Sequence, residues 1–596
     1  MNTKSIFIIC SLILTVNSAM AQWVSDPSVN TLLAGVDTAY AYGEMVGNSN
    51  DSASYLLYYK STAPNPPFFK LYLQKIDYHG YRKFGNDGIL IDPGPNKTWV
   101  AGVAVVPNQD SCVYVAYSKV LFYPGPQDTV TAIFMNKVTK NGVKLWGDEG
   151  IRVSKGSTTC SSYSPYLLAT EDNQVCVGYI TIDSTLTPTG SLQNVILRKL
   201  SSAGTLVWEY TFPQGSAEFN WGVSMHPMDN GNIMAICRHD STNFNDTSFM
   251  QSLWAQKFDA NGLPLFAQPK NILSYPKYTG DYPMTMVQVE SNSEDGFYIG
   301  VAYDEGVITI QNFIQQIDAN ANTLFPEPVP VIIDAATNLE RTDFGIRYLP
   351  ETQELLVIWA EKNFTTHTAS ILGQKISSMG TRVWGDSAKE FYPKISMMDS
   401  TYAFLTLRKS GTNESILFFM KRISPSAAIY SYASKLDPSG NSVWGKTVLL
   451  SNKSGSNIGL MALEEIGSQW VAYYIDQMDS AHYHQSKGQL YGQNIFNNGS
   501  IGVGVEEIVA TSFPMTVFPN PAFDHISVDF KLASSSIINA SLWSSDGRMI
   551  QTWEYSKVAA GHSQLLFDVK GIPDGFYVLK VRDGNRSSTA KVMIRK

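Results

Sequence analysis

The sequence predicts an all-β chain: an eight-bladed β-propeller of four-stranded repeats of about 60 residues, followed by a small C-terminal β-sandwich. Three observations carry this expectation. A strand, a Gly turn and an aromatic residue recur at a nearly constant interval. Two further short strands precede them in each interval. A different, unrepeated strand pattern takes over after residue 508. Composition agrees, with 12 % aromatic and only 16 % charged residues, a balance that suits an exported β-protein with a polar but weakly charged surface. The net charge is −8 and no long basic run occurs, which disfavours a nucleic-acid partner.

The chain opens with Lys4, an apolar run from Ile6 to Val16, and a small-x-small step at Ala19-Met20-Ala21. These are the three parts of a signal peptide over residues 1–21, so the mature chain is expected to start at Gln22. The apolar run is shorter than the roughly 20 residues of a spanning helix, and no later stretch reads as one. Cys10 lies inside that run and not after a lipoprotein-type cleavage site, which argues against lipidation. Export would permit disulfides among Cys112, Cys160, Cys176 and Cys237. The sequence does not choose among the pairings, and buried free thiols on strands are the simpler expectation. No Cys-based zinc spacing is present.

The repeated aromatics are Phe84, Trp146, Trp208, Phe266, Phe325, Trp384 and Trp444, at steps of 58 to 62 residues, and Trp23 falls on the same grid. The turns before them carry Gly80, Gly142, Gly204, Gly262, Gly380 and Gly440, with Ala321 in the fifth copy. Glycine is expected because a tight hairpin turn needs a positive φ. An eighth, weaker copy runs from Gln493-Asn494-Ile495 to Gly502, with Ile501 read in the aromatic slot. Upstream, Tyr166–Ala169 and Val175–Ile180, or Met284–Val289 and Phe297–Tyr303, supply the first two strands of a unit. The units span about 32–93, 94–154, 155–212, 213–272, 273–332, 333–391, 392–450 and 451–508. A lone four-stranded sheet cannot bury both faces, whereas sheets packed face to face around an axis can. The repeated aromatic is then expected to wedge between neighbouring blades. A seven-bladed ring with one degenerate unit is the alternative. Solenoid coils are usually shorter, and a separate sandwich of this size would be marginal. Trp23-Val24-Ser25-Asp26-Pro27-Ser28-Val29 resembles Trp146-Gly147-Asp148-Glu149-Gly150-Ile151-Arg152. Residues 22–31 are therefore expected to be the outer strand of the last blade, fastening the ring.

After a linker at 509–514, residues 515–596 alternate strands with Asp-Gly and Pro-Asp-Gly turns, the pattern of a small β-sandwich. Its landmarks are Pro519-Asn520-Pro521-Ala522, Asp546-Gly547-Arg548, Gly575-Phe576-Tyr577 and the terminal Lys596. In their order and spacing, residues 513–596 resemble the C-terminal sorting domain, type A, of the type IX (Por) secretion system. The resemblance implies passage to the periplasm and then across the outer membrane, with the secretion machinery as partner. It also implies removal of the tag and a cargo held on the cell surface or released. The remainder resembles uncharacterised β-propeller repeats of secreted cargo, a resemblance that implies no particular activity.

Catalytic signatures are missing: no His-Glu-x-x-His, no Gly-x-Ser-x-Gly, no P-loop and no Rossmann fingerprint after a suitable strand. Ser293-Glu294-Asp295-Gly296 is more simply a hairpin turn than a sialidase-type Asp-box. His482 and His484 would face one side of a strand near Asp476 and Asp479, making them weak metal candidates, although a polar loop explains them equally. Asp37-Thr38-Ala39 and Asp128-Thr129-Val130 resemble short O-glycosylation acceptors. No cofactor is expected. The expected function is a secreted or cell-surface binding or adhesion module of unknown ligand, with a glycan or an envelope protein as the candidate partner. The alternative is a polysaccharide hydrolase or lyase with its site on the propeller axis. Acidic groups with an Arg or His converging on that axis would favour catalysis, and an apolar and amide lining would favour binding.

Overall fold

The computed structural model describes residues 23–34, 43–48, 51–61, 69–92, 103–122, 129–155, 160–183, 192–213, 218–243, 248–278, 284–304, 309–333, 338–341, 343–397, 401–422, 429–453, 456–477, 488–502, 515–532, 536–544, 549–559, 561–583 and 586–596. Strands dominate, and the one helical turn among these residues is a short 3₁₀ segment at Asp229–Gly231. The chain divides into two compact units, 1–503 and 504–596.

The N-terminal unit is a succession of antiparallel four-stranded meanders. The third is typical: Cys160–Ala169, Val175–Asp183, Leu192–Leu200 and Leu206–Thr211, each paired with the next. In the sixth, the first strand is broken into Leu339–Glu340 and Phe344–Leu349, both paired with Glu354–Asn363. The last two meanders are joined by a single parallel pairing, Ile429 with Ser456, and so count as one eight-stranded sheet.

Each sheet buries both faces, because alternate residues of its second strand point to opposite neighbours. Tyr55 and Leu57 pack with Val113 and Val115 of the following sheet. Leu56 and Tyr58, one residue out of phase, pack with Val471 and Tyr473 of the last sheet. The same alternation repeats along the chain: Tyr114 with Val177, Cys176 with Cys237, Ile236 with Ile299, Tyr298 with Val357, Ile358 with Phe419, and Phe418 with Trp470. The series of apolar clusters therefore returns to its starting sheet. Each fully buried aliphatic or aromatic side chain contributes about 1.5–3 kcal/mol by the area rule.

The fourth strand of the last meander is Thr31–Ala34, paired antiparallel with Gly488–Phe496, and not the expected 22–31, of which only Thr31 belongs to it. Asn30 fixes this join: its amide donates to the Leu450 carbonyl at 2.8 Å and its oxygen accepts from Ser451 Oγ at 2.7 Å. Trp23 turns the other way, its indole N–H donating to the Tyr78 carbonyl of the first meander at 2.8 Å.

The C-terminal unit has a three-stranded sheet and a four-stranded sheet around one core, including Val528, Phe530, Phe567, Leu542, Leu579 and Val592.

Candidate functional site

The repeat grid places its residues at the contacts between meanders. The aromatic of one unit covers the turn glycine of the next, where φ is positive: Trp23 on Gly80, Phe84 on Gly142, Trp146 on Gly204 and Trp208 on Gly262. Phe325 on Gly380, Trp384 on Gly440 and Trp444 on Gly499 continue the series. Phe266 packs in the cluster that holds Ala321, itself at φ 56°. The eighth copy needs a correction. The bridge between Ile495 and Ile501 matches that between Ile76 and Arg82, so Ile501 stands two residues before the aromatic slot. That slot falls on residue 503, outside the described residues.

Two further devices recur with the grid, and their roles emerge only from the fold. A buried amide on the third strand clips the turn. Gln315 donates to the Phe325 carbonyl at 3.1 Å and accepts from the Phe325 amide at 3.2 Å. Gln256 makes the same pair with Phe266, while Gln74, Asn136 and Gln374 accept from the amide of the aromatic and donate to the carbonyl of the glycine that follows it, Gly85, Gly147 and Gly385. The next position on that strand is often a lysine paired with an acid at the hairpin between strands one and two: Lys75 with Asp51, Lys137 with Asp110 and Lys199 with Asp172 on the turn, and Lys375 with Glu354 and Lys435 with Glu414 at the start of strand two. Lys199 also donates to the Ala260 carbonyl, and Lys257 to that of Ala319, in the following units. The Gln-Lys step is visible in the repeat, but its partners are remote and differ between Asp and Glu.

The first strands line a cavity of about 1370 Å³. Four of the first strands carry a β-bulge. Two residues oppose one at Ser164-Pro165, Trp221-Gly222, Phe404-Leu405 and Gly459-Leu460. Ser164 and Phe404 adopt φ 50°, an uncommon backbone for a non-glycine residue and a costly one for a bulky side chain. Phe404 is 37 % exposed and Tyr166 is equally so, and both face the cavity. The Phe404 amide donates to Asp343 Oδ2 at 3.1 Å, and Asp343 sits at the break in the sixth unit's first strand.

The cavity also gathers Glu290, Arg347, Arg408, Lys409, Glu464 and Glu465. Glu290 pairs with Arg347 and accepts from the Tyr348 amide at 3.1 Å. Burial pushes its carboxyl above the usual range, only partly opposed by Arg347. Burial likewise raises Asp343, against the Phe404 hydrogen bond, and raises Glu465. Arg408 donates to the Ala462 carbonyl at 2.6 Å and lies 3.6 Å from Glu464. Acidic and cationic groups thus converge with exposed aromatic rings. Glu290, Arg347 and Arg408 occupy the same register position in three consecutive first strands, but the position changes charge from unit to unit and so does not stand out in the sequence.

Several sequence candidates fall outside the described residues: Ala19, Ala21, Gln22, His482, His484, Asp546, Gly547, Asp37-Thr38-Ala39 and Asp128. Among the described residues, no group of His, Cys, Asp and Glu could hold a metal ion. Ser293–Gly296 is part of a hairpin turn in which Asn292 Oδ1 accepts the amides of Glu294 and Gly296. The four cysteines are free, and burial pushes the Cys176 thiol up to about 12. In the C-terminal unit, Asn520 and Ala522 bond the last strand, Tyr577 Oη donates to the Pro573 carbonyl, and the Lys596 amide donates to Asp574. Pro519 and Pro521 are preceded by cis peptide bonds, and Gly575 opens the strand that carries Tyr577.

Fold and ends together define an all-β protein of antiparallel four-stranded sheets with a separate C-terminal module. Residues 516–595 match the family model of the secretion system C-terminal sorting domain. The chain is therefore a cargo directed to the cell surface or the extracellular space. No helix of the described residues is long and apolar enough to cross a membrane. No curated protein matches the chain. Among solved structures, a protein of unknown function from Dyadobacter fermentans is similar at TM-score 0.32 and 11 % identity, over 55 % of this chain and 91 % of that one. A polysaccharide lyase, an ulvan lyase, is similar at TM-score 0.39 and 9 % identity, over 70 % and 96 %. An α-L-arabinanase from Penicillium chrysogenum is similar at TM-score 0.31 and 7 % identity, over 55 % and 92 %.

Proposed function

We propose that the N-terminal unit is an eight-bladed β-propeller closed by the Thr31–Ala34 strand, and that the C-terminal unit is a β-sandwich tag. In this reading the exported chain is a binding module whose ligand, a glycan or a similar polyhydroxylated envelope component, enters the axial cavity. The acidic and cationic groups of the cavity converge as a catalytic site requires, but the observation that carries the binding reading is that they are engaged by one another or by the backbone, beside the exposed rings of Phe404 and Tyr166. Aromatic faces pack on the apolar face of a sugar ring, while charged groups accept and donate to its hydroxyls. Glu290, Asp343 and Glu464 are each engaged by a neighbouring donor, which suits fixed recognition better than proton transfer.

A second reading has a specific observation in its favour. Carboxyls held up by burial, Glu290 beside Arg347 and Asp343 in the same cavity, are what a polysaccharide hydrolase or lyase needs for its acid and base. A glycan array and a polysaccharide-degradation screen on the mature chain separate the two. Saturable binding without product supports the binding module. Reproducible product release that disappears in Glu290→Gln or Asp343→Asn moves the assignment to the enzyme.

A further inference from the structure

One position of the first strand changes character along the N-terminal unit. It holds Val46, Val106 and Leu168 in the first three meanders, and Glu290, Arg347 and Arg408 in the fifth, sixth and seventh. Two guanidiniums therefore stand on consecutive first strands and line one cavity, with Lys409 as the next residue of its lining. A guanidinium has five N–H donors in a planar fork. Arg347 gives one terminal nitrogen to Glu290, yet its Nε is buried with no hydrogen-bond partner, in a residue only 9 % exposed. An unpaired donor on a buried charge is costly, and in a native fold it marks a place that another group completes. Arg408 gives Nε to the Ala462 carbonyl at 2.6 Å and Nη1 to that of Leu407 at 3.4 Å, so Nη2 is uncommitted among the described residues.

The carboxyls of the cavity do not cancel these cations. Glu290 is held by Arg347 and the Tyr348 amide, Asp343 by the Phe404 amide, and the Glu464 side chain is 65 % exposed. Burial favours the neutral form of Glu290, Asp343 and Glu465, whereas arginine keeps its charge. A ligand that displaces water from this wall thus meets a positive surface with donors to spare.

We propose that Arg347 and Arg408 form an anion subsite, and that the cavity takes an acidic polysaccharide whose carboxylate or sulfate ester seats on them beside the exposed Phe404 ring. The proposal rests on the glycan-binding reading and adds the class of glycan.

The test measures binding of the mature chain to two matched pairs by calorimetry. One pair is polygalacturonate and the same polymer after carboxyl reduction. The other is a sulfated galactan and its desulfated form. In at least one pair the acidic member should bind about tenfold more tightly than the neutral one, as charge-assisted hydrogen bonds require. The pair that shows the preference identifies the anion. Arg408→Gln and Arg347→Lys, each checked by thermal melting, should cut that preference to about threefold or less. Should either variant fail to fold, the parent chain still decides: added salt should weaken binding of the acidic polymer and leave the neutral one unmoved. Equal affinity within both pairs would overturn the proposal and leave the glycan reading standing. An acidic preference that persists in both folded variants would also overturn it, since the anion would then be held elsewhere. Binding to none of the four polymers would overturn both readings.

Discussion

Gly262 and Ala321 occupy the same register under the aromatic of the preceding unit, and they show what a methyl group costs there. At Gly262, φ is +84° and a Cβ would come within 2.3 Å of the Trp208 ring. Gly262→Ala therefore adds left-handed strain to a clash, and should destabilise the protein by about 2–4 kcal/mol in urea unfolding. At Ala321 the methyl already exists at φ 56° and is buried with Phe266 as its neighbour. Ala321→Gly loses that packing while relieving backbone strain, and serves as the near-neutral comparison. Asp343 offers a titration at the same scale. Its ordinary value is 3.8 and burial raises it in the fold, so the folded state prefers the protonated form. That preference is fully expressed below the unfolded value and is lost as pH rises through the folded one. A neutral amide in place of the carboxyl would imitate the protonated acid and keep an acceptor for the Phe404 amide. Asp343→Asn should thus match the parent in melts at about pH 3.5 and exceed it at about pH 7. An equal offset at both values would show that ionisation of Asp343 is not the cause.

At the scale of one element, the Thr31–Ala34 strand carries more consequence than its length suggests. It is the fourth strand of the last meander, while Trp23 just before it packs on Gly80 of the first. The bond from Asn30 to Leu450 and the one it accepts from Ser451 are both buried, and Leu33 seats against Gly492. Asn30→Ala leaves those groups without their partner and should cost about 2–3 kcal/mol. Limited proteolysis should then cut first near the junction of the last and first meanders. Cleavage spread evenly over the units would mean that this strand is not the weak seam. Elements of this kind also explain what was legible in the sequence. The antiparallel four-stranded sheets were legible because strand alternation, turn glycines and bulky aromatics are each demanded by local geometry and recur together. The bulges were not, since the extra residue at Phe404-Leu405 reads as a slip in a period-two pattern. The misassigned slot at Ile501 has a related origin. With no aromatic to mark the position, only backbone pairing reveals the register.

For the molecule as a whole, the decisive feature is that, among the described residues, the cores of the two units share no residue. The sorting unit's cluster runs from Ala522 to Ile594, and every cluster of the N-terminal unit lies between Trp23 and Ile501. The charged cluster of the cavity was illegible in the sequence for a reason that belongs to this scale. Glu290, Asp343, Arg408 and Glu464 come from four units and become neighbours only when the sheets are arranged around a common space. Their proximity is a property of the assembled unit and of no segment within it. Separate cores imply separate unfolding transitions. A chain ending at residue 514 should melt within about 1 °C of the N-terminal transition of the full chain, since in a unit of this size each 1 kcal/mol of lost coupling would shift the midpoint by only about 1 °C. Residues 515–596 alone should give their own cooperative transition, seen in the fluorescence of Trp553, which packs on Phe567. A large drop in the first midpoint on truncation would mean that the tag braces its cargo, and that removing it after export would release a less stable protein.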